Sequence, residues 1–106
     1  MSDTGPRLFA DERGVWRSIE GQLTGIEWGE VYRVRGYKLD GITGVYTCVD
    51  LDWECGEFIE LYHDWPGFQQ VTSAITARLA GIATDWLQKI EQLDVNDAPV
   101  EVWCRA

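Results

Sequence analysis

Residues 45–63 decide the fold; they read Val-Tyr-Thr-Cys-Val-Asp-Leu-Asp-Trp-Glu-Cys-Gly-Glu-Phe-Ile-Glu-Leu-Tyr-His. β-Branched and aromatic residues are abundant, and the alternation of Val49, Leu51 and Trp53 with acidic residues is typical of a strand. Cys55-Gly56 separates this run from a second one, Glu57–His63, so the stretch predicts a β-hairpin. We expect this hairpin to lie at the centre of an antiparallel sheet.

Shorter runs on both sides of the hairpin predict further strands. Gly14–Glu20 and Glu30–Arg35 precede it, and 100–105 alternates apolar with other residues as a closing strand. Residues 1–13 are polar and contain Gly5-Pro6, which predicts a flexible N-terminal arm. We therefore expect one domain over residues 14–106.

The apolar period changes after the hairpin from that of a strand to that of a helix. One helical stripe, which predicts a long helix over about 66–80, consists of Phe68, Val71, Ile75, Leu79 and Ile82. Asp64 is placed to cap this helix, and a second, short helix is predicted over about 84–93. Strands followed by helices indicate an α+β fold. We expect a curved antiparallel sheet of about five to seven strands, covered by the long helix.

Charge and composition exclude several classes of protein. Eighteen acidic and nine basic residues give a net charge of −9, and residues 39–106 carry all of that excess. Such a charge opposes binding to nucleic acid or to an anionic membrane. The chain has neither an apolar run long enough to span a membrane nor a signal-like N-terminus. The cysteines, Cys48, Cys55 and Cys104, include no C-x-x-C pair, which favours reduced thiols, no zinc site and a cytoplasmic location.

The acidic residues of the hairpin are its most unusual feature. Asp50, Asp52 and Glu54 recur at period two, so their side chains would share one face of a strand, with Glu57 and Glu60 on the neighbouring strand. Such a face could simply keep the sheet solvated, dock a basic protein partner, or hold a divalent cation. The partner-binding hypothesis comprises these five carboxylates and Trp65, an aromatic residue expected to be partly exposed.

Three segments carry a resemblance to known proteins: Trp28-Gly-Glu-Val31, Tyr37-Lys-Leu-Asp40 and Asp64-Trp-Pro-Gly-Phe68. The chain resembles, over roughly residues 14–106, a group of small uncharacterised bacterial proteins with "W-x-x-I/V", "YK-x-D" and "D-x-P-G-W/F" segments in this order. In that group the third segment often ends in Trp, where this chain has Phe68. The resemblance implies a small intracellular α+β protein similar to pleckstrin-homology-like half-barrels or immunity proteins. It implies no catalytic residue.

No motif in the sequence predicts an enzyme or a cofactor. A His63-Asp64 pair near the thiol of Cys48 is compatible with nucleophilic catalysis, but Asp64 is also placed for a helix cap. The basic residues Arg33, Arg35 and Lys38 are expected to pair with the chain's own carboxylates. The first hypothesis is a non-enzymatic protein-interaction module with an acidic docking face. The alternatives are a small-molecule-binding domain with a Trp- and Tyr-lined concave sheet, and a metal-dependent enzyme that uses the Asp/Glu row.

Overall fold

Two antiparallel sheets and two helices make up the α+β fold of residues 5–105, the part of the chain that the computed structural model describes. The elements are β1 (Arg7–Ala10), β2 (Gly14–Ile19), β3 (Gln22–Glu27), β4 (Arg33–Gly41), β5 (Gly44–Asp52), β6 (Phe58–Tyr62), α1 (Phe68–Arg78), α2 (Trp86–Glu91) and β7 (Val100–Cys104). The first sheet has the order β1-β2-β3, and the second has the order β6-β5-β4-β7.

The predicted hairpin is confirmed as β5 and β6, and β5 is a central strand of the second sheet. Asp50 lies opposite Glu60 on β6 and opposite Arg35 on β4. Val49 pairs with Leu61 and Leu51 with Ile59, which places these four apolar residues on the other face. This register fixes which side chains meet at the site described below.

The prediction of a single sheet of about five to seven strands is wrong, because the strands divide into sheets of three and four. A short 3-10 turn, Trp28–Glu30, separates β3 from β4. The Trp28 indole N–H donates to the carbonyl of Asp11 at 2.8 Å, which ties this turn back to the first sheet. The chain therefore leaves one sheet at the turn and begins the next instead of extending the first.

The prediction of a flexible arm over residues 1–13 is wrong for residues 7–10, which form β1; residues 1–4 lie outside the described residues. Leu8 is buried, and its N–H donates to the carbonyl of Pro66 at 2.8 Å. The side-chain amide of Gln70 accepts from the N–H of Ala10 and donates to its carbonyl, both at 2.8 Å. Gln70 thus acts at the edge of β1 as a neighbouring strand would.

The helices are shorter than the apolar stripe predicts. α1 begins after Gly67, whose φ of 93° belongs to the left-handed region, so Asp64 is not its N-cap. A side chain at position 67 would also collide with the carbonyl oxygen of Leu8. Helix α1 ends before Leu79, and α2 covers only six of the residues predicted over 84–93.

The core joins the helices, one face of the second sheet and the buried residues Leu8, Val15 and Ile26 of the first sheet. Val34, Val49 and Leu61 of that face are fully buried together with Val71 and Ile75 of α1. Within residues 5–105 no helix has the length and apolarity needed to cross a membrane. Since the helices cover one face of the second sheet, the side chains of its other face, the outer face, are the first candidates for a functional site.

Candidate functional site

The outer face of the second sheet carries the acidic row, but two of its carboxylates are not at the surface. Asp50 is 4% exposed and Asp52 is 0% exposed. The expectation that Asp50 and Asp52 belong to an exposed docking face is therefore wrong. Both lie on β5, where the strands on either side carry longer side chains than the aspartates do.

Arginine side chains from β4 fold across these aspartates. Arg33 Nε donates to Asp52 Oδ2 at 2.8 Å, and Arg35 Nε lies 3.1 Å from the same oxygen. Arg35 also reaches Asp50, with a guanidinium nitrogen 3.8 Å from its Oδ2. The prediction that the basic residues pair with the chain's own carboxylates is confirmed for Arg33 and Arg35. Their pairing removes both aspartates from solvent and neutralises much of their charge.

Asp50 and Glu60 form a carboxyl pair that Tyr37 bridges. The hydroxyl of Tyr37 lies 3.2 Å from Asp50 Oδ1 and donates to Glu60 Oε2. The hydroxyl of Tyr62 donates to the other oxygen of Glu60, Oε1, at 2.7 Å. We call Tyr37, Asp50, Glu60 and Tyr62 the carboxyl–tyrosine network.

The pKa values in this network follow from burial and from the two carboxylates. Burial raises the pKa of Asp50 to about 7, and the charges of Glu60 and Asp52 act in the same direction. Burial also raises the pKa of Tyr37 far above its ordinary value. The hydrogen bond to Glu60 raises the pKa of Tyr62 to about 12. Both phenols therefore remain protonated donors at neutral pH.

A cleft of about 270 Å³ opens beside this network. It is lined by three aromatic side chains, one aliphatic and one acidic: Tyr46, Tyr62, Trp65, Leu39 and Asp64. The rings of Tyr62 and Trp65 are 5.3 Å apart and inclined by 47°, and those of Tyr46 and Tyr62 are 6.5 Å apart and inclined by 74°. We call this the aromatic cleft.

One aromatic surface at this cleft already contacts a cation. The guanidinium of Arg17, on β2, lies 5.1 Å from the ring centroid of Trp65 and also donates to the carbonyl of Glu60 at 2.9 Å. A cation within about 6 Å of a ring centroid is attracted by the ring's electrons. The contact shows that Trp65 lies in an orientation that a guanidinium can reach.

The β4–β5 hairpin projects an apolar tip next to the aromatic cleft. Ile42, in its turn, is fully exposed, and Leu39 and Val45 are also exposed. Leu39 belongs both to this tip and to the lining of the cleft. The cleft and the tip therefore form one continuous surface.

A second cleft, of about 290 Å³, lies by the β5–β6 turn and includes Glu54. Its lining consists of Gly29, Glu30, Tyr32, Trp53, Glu54, Cys55 and Arg105. The guanidinium of Arg105 donates there to the carbonyls of Val31 and Trp28, both at 3.0 Å. We call this the turn cleft.

The structure does not bring the six predicted partner-binding residues together. Asp50 and Asp52 are buried and Glu60 is half-buried, whereas Glu54 and Glu57 are exposed near the β5–β6 turn. Trp65 lines the aromatic cleft, as its predicted partial exposure requires. Its cleft neighbours, Leu39, Tyr46 and Tyr62, were not predicted. The one sequence signal for them is the cluster of tyrosines on neighbouring strands, which identifies a site only once the register is known.

The residues considered for catalysis are engaged in structural contacts. Burial raises the pKa of Cys48 to about 12, which opposes formation of a thiolate. Nδ1 of His63 accepts the backbone N–H of Thr47 at 2.9 Å. All three cysteines are free. Among residues 5–105, no three His, Cys, Asp or Glu side chains are grouped so that they could hold a metal ion.

Comparison with known proteins finds no relative: no family model, no curated protein and no solved structure matches this chain. The resemblance to small bacterial proteins therefore stays a prediction. The basis for a functional proposal is the geometry of the outer face and its two clefts.

Proposed function

We propose that the protein is a non-enzymatic interaction module that binds a basic segment of a partner protein at the aromatic cleft. The observation that carries the proposal is the placement of Tyr46, Tyr62 and Trp65 around one cleft with the carboxylate of Asp64 at its side. Aromatic faces and a carboxylate together suit the ammonium or guanidinium group of a lysine or arginine. The docking surface is thus shifted from the acidic row to this cleft.

The size of the aromatic cleft favours a single side chain as the bound group. Its volume, about 270 Å³, is at the small end of pockets for whole small molecules, which occupy roughly 300–1,000 Å³. A small-molecule-binding domain is the alternative that shares this cleft, and a small organic cation is the ligand it would take.

The charge of the protein supports a basic partner. A net charge of −9 attracts basic proteins over long distances and speeds their encounter. The apolar tip of the β4–β5 hairpin provides a second contact beside the cleft, because Ile42 is fully exposed and Leu39, which lines the cleft, is also exposed. The free thiols suit a cytoplasmic location, which we propose together with this function.

The test is a nuclear magnetic resonance titration of the ¹⁵N-labelled protein with an N-acetylated octapeptide that contains lysines and neutral residues. We expect shifts centred on Tyr46, Tyr62 and the indole of Trp65, and an affinity that falls as salt is added. Tyr46→Leu should weaken binding by about tenfold, since a cation–π contact is lost. Tyr32→Leu, in the turn cleft, is the matched control and should leave the affinity unchanged.

Two results would contradict the proposal. One is a shift map that leaves the aromatic cleft untouched. The other is equal binding of a matched glutamate octapeptide, which would show that the cleft does not select for positive charge. Tetramethylammonium alone, used as a minimal cation, tests the small-molecule alternative. Measurable binding of this ion would favour that alternative, because the module proposed here needs the peptide backbone and the apolar tip for measurable affinity.

A further inference from the structure

The carboxyl–tyrosine network contains more carboxyl groups than cations to balance them. Arg33 and Arg35 pair with Asp50 and Asp52 on the outer face, and Glu101 of β7 lies 3.9 Å from Arg33. Glu60 lies opposite Asp50 on β6, which makes four carboxyl groups for two guanidinium groups. Both arginines lie closest to Asp52, and Arg35 reaches Asp50 only at 3.8 Å. A proton on Asp50 would reduce the excess negative charge of this cluster from two to one.

The hydrogen bonds of Tyr37 give a second, independent reason for that proton. Its single hydroxyl hydrogen lies between Asp50 Oδ1 and Glu60 Oε2, and one hydrogen can serve only one of them. If both carboxyls are ionised, one buried oxygen faces the phenol oxygen with no hydrogen between them. If Asp50 is protonated, it donates to Tyr37, and Tyr37 donates to Glu60. One proton on the carboxyl pair therefore completes the geometry, and Asp50, 4% exposed beside a half-buried Glu60, is the carboxyl whose burial favours holding it.

The network also reaches the aromatic cleft. Glu60 accepts the hydroxyl of Tyr62, whose ring lines the cleft, so the cleft and Asp50 are joined through Tyr62, Glu60 and Tyr37. We infer that binding of a cationic side chain in the aromatic cleft is coupled to release of the proton from Asp50, so that the protein binds its basic partner more tightly as pH rises through neutrality. This inference rests on the function proposed above.

The charged and titratable groups around Asp50 come from several elements. Arg35 and Tyr37 face it from β4, Glu60 and Tyr62 from β6, and Cys48 and Asp52 flank it on β5. Arg17 of β2 lies over Trp65 at the border of the cleft, and Lys38 and Asp64 are near enough to influence Cys48. Among these groups, Asp50 stands out because burial raises its pKa to about 7.

The direction of the coupling follows from reciprocity. A bound cation attracts the carboxylate form of Asp50 and lowers its pKa, and an ionised Asp50 must therefore attract the cation equally. A unit charge at about 10 Å, in the intermediate dielectric of a partly buried site, changes affinity by about fivefold. We expect the lysine octapeptide to bind about fivefold more tightly at pH 8 than at pH 6.

Calorimetric titration of the full chain with that octapeptide, in two buffers of different ionisation enthalpy, tests the coupling. At pH 7 the wild type should release a fraction of a proton on binding. Asp50→Asn mimics the protonated carboxyl. It should bind the octapeptide at both pH values with the weaker affinity that the wild type has at pH 6, and its binding should release no proton. Glu57→Gln removes an exposed charge from the same hairpin and should keep the pH dependence.

His63 needs its own control, because imidazoles commonly titrate in this range and its ring lies 6.0 Å from that of Tyr46. His63→Asn keeps an acceptor for the N–H of Thr47 and should retain the fivefold change. Loss of the pH dependence in His63→Asn, or its persistence in Asp50→Asn, would overturn the inference.

Carboxyl-carbon resonances of the wild type give a reading that does not depend on any variant. We expect the titration midpoint of Asp50 to fall when the peptide is added. Binding that is equal at pH 6 and pH 8 refutes the coupling and leaves the proposed function intact. Absence of binding at both pH values refutes both.

Discussion

Two parts of the acidic hairpin contain the same residue types and have opposite surroundings. Asp50, Asp52 and Glu60, on paired strands, are buried or half-buried within bonds to arginine and tyrosine. Glu54 and Glu57, around the turn, are exposed. The difference lies in the neighbours: long side chains on β4 and β6 fold over the short aspartates of β5, and no such strand flanks the turn. The exposure of a strand residue is thus set by the length of the side chains beside it.

The largest effect on stability should follow from breaking the ion pairs in the buried part of the hairpin, on its paired strands. Asp52→Ala leaves the guanidinium groups of Arg33 and Arg35 without their closest carboxylate, and we expect a loss of about 4 kcal/mol in the free energy of unfolding. Urea unfolding at pH 7 measures it. A loss below about 1 kcal/mol would contradict the picture of Asp52 as the centre of a buried ion-pair cluster.

The second effect is a pH dependence that belongs to Asp50. Its pKa is about 7 in the folded protein and about 4 in an unfolded chain, so the folded state holds the proton more tightly. The resulting stability is complete below about pH 4 and is lost as pH rises through about 7. Between about pH 4 and pH 7 we expect the free energy of unfolding of the wild type to fall by about 3 kcal/mol relative to that of Asp50→Asn.

Urea unfolding of both proteins from pH 4 to pH 8 checks the prediction. Comparing the two curves cancels the contribution of the other carboxyl groups, which the variants share. Parallel curves would show that Asp50 titrates as an ordinary exposed aspartate.

A smaller effect is expected at the tyrosine that joins the carboxyl pair. Tyr37→Phe keeps the ring and removes the hydroxyl between Asp50 and Glu60. Both carboxyls then lose a buried partner, and we expect a loss of about 1–2 kcal/mol in thermal or urea unfolding at pH 5. A more stable Tyr37→Phe protein at that pH would mean that the hydroxyl is not a productive partner.

Substitutions around the β5–β6 turn should change the stability least. Glu54→Ala and Glu57→Ala remove exposed carboxylates that make no described ion pair, so each should change the free energy of unfolding by less than about 0.5 kcal/mol. The pair of variants completes the contrast with Asp52→Ala. A loss above about 1 kcal/mol in the free energy of unfolding at either position would show that the turn and the paired strands differ less than their exposure indicates.

Periodicity identified the elements that depend on local sequence. The β5–β6 hairpin was predictable because Val49, Leu51 and the run after Gly56 carry their own pattern and turn. Strand β1 was not predicted: its four residues carry no clear alternation, and besides pairing with β2 they are held by Pro66 and Gln70, far along the chain. The start of α1 was misplaced for a similar reason, because the close approach of Leu8 to Gly67 fixes it.

The site was predictable only in part. The pairing of Arg33 and Arg35 with acidic residues followed from the charge pattern, and Trp65 was identified beside its Pro-Gly turn. The burial of Asp50 and the meeting of Tyr46 with Tyr62 depend on the register of three strands. Alternation along one strand gives the face on which a residue lies, but not which side chains cover it.

The contacts of β1 have a consequence for the order in which the chain folds. Ala10 and Gln70, which are bonded through the glutamine amide, are separated by sixty positions in the sequence. Closing so long a loop costs chain entropy, whereas β1 pairs with β2 across a short turn and the β5–β6 hairpin closes over a few residues. During synthesis β1 leaves the ribosome first and must wait, unpaired with α1, until residue 70 has emerged. We therefore expect this N-terminal strand to dock onto α1 last.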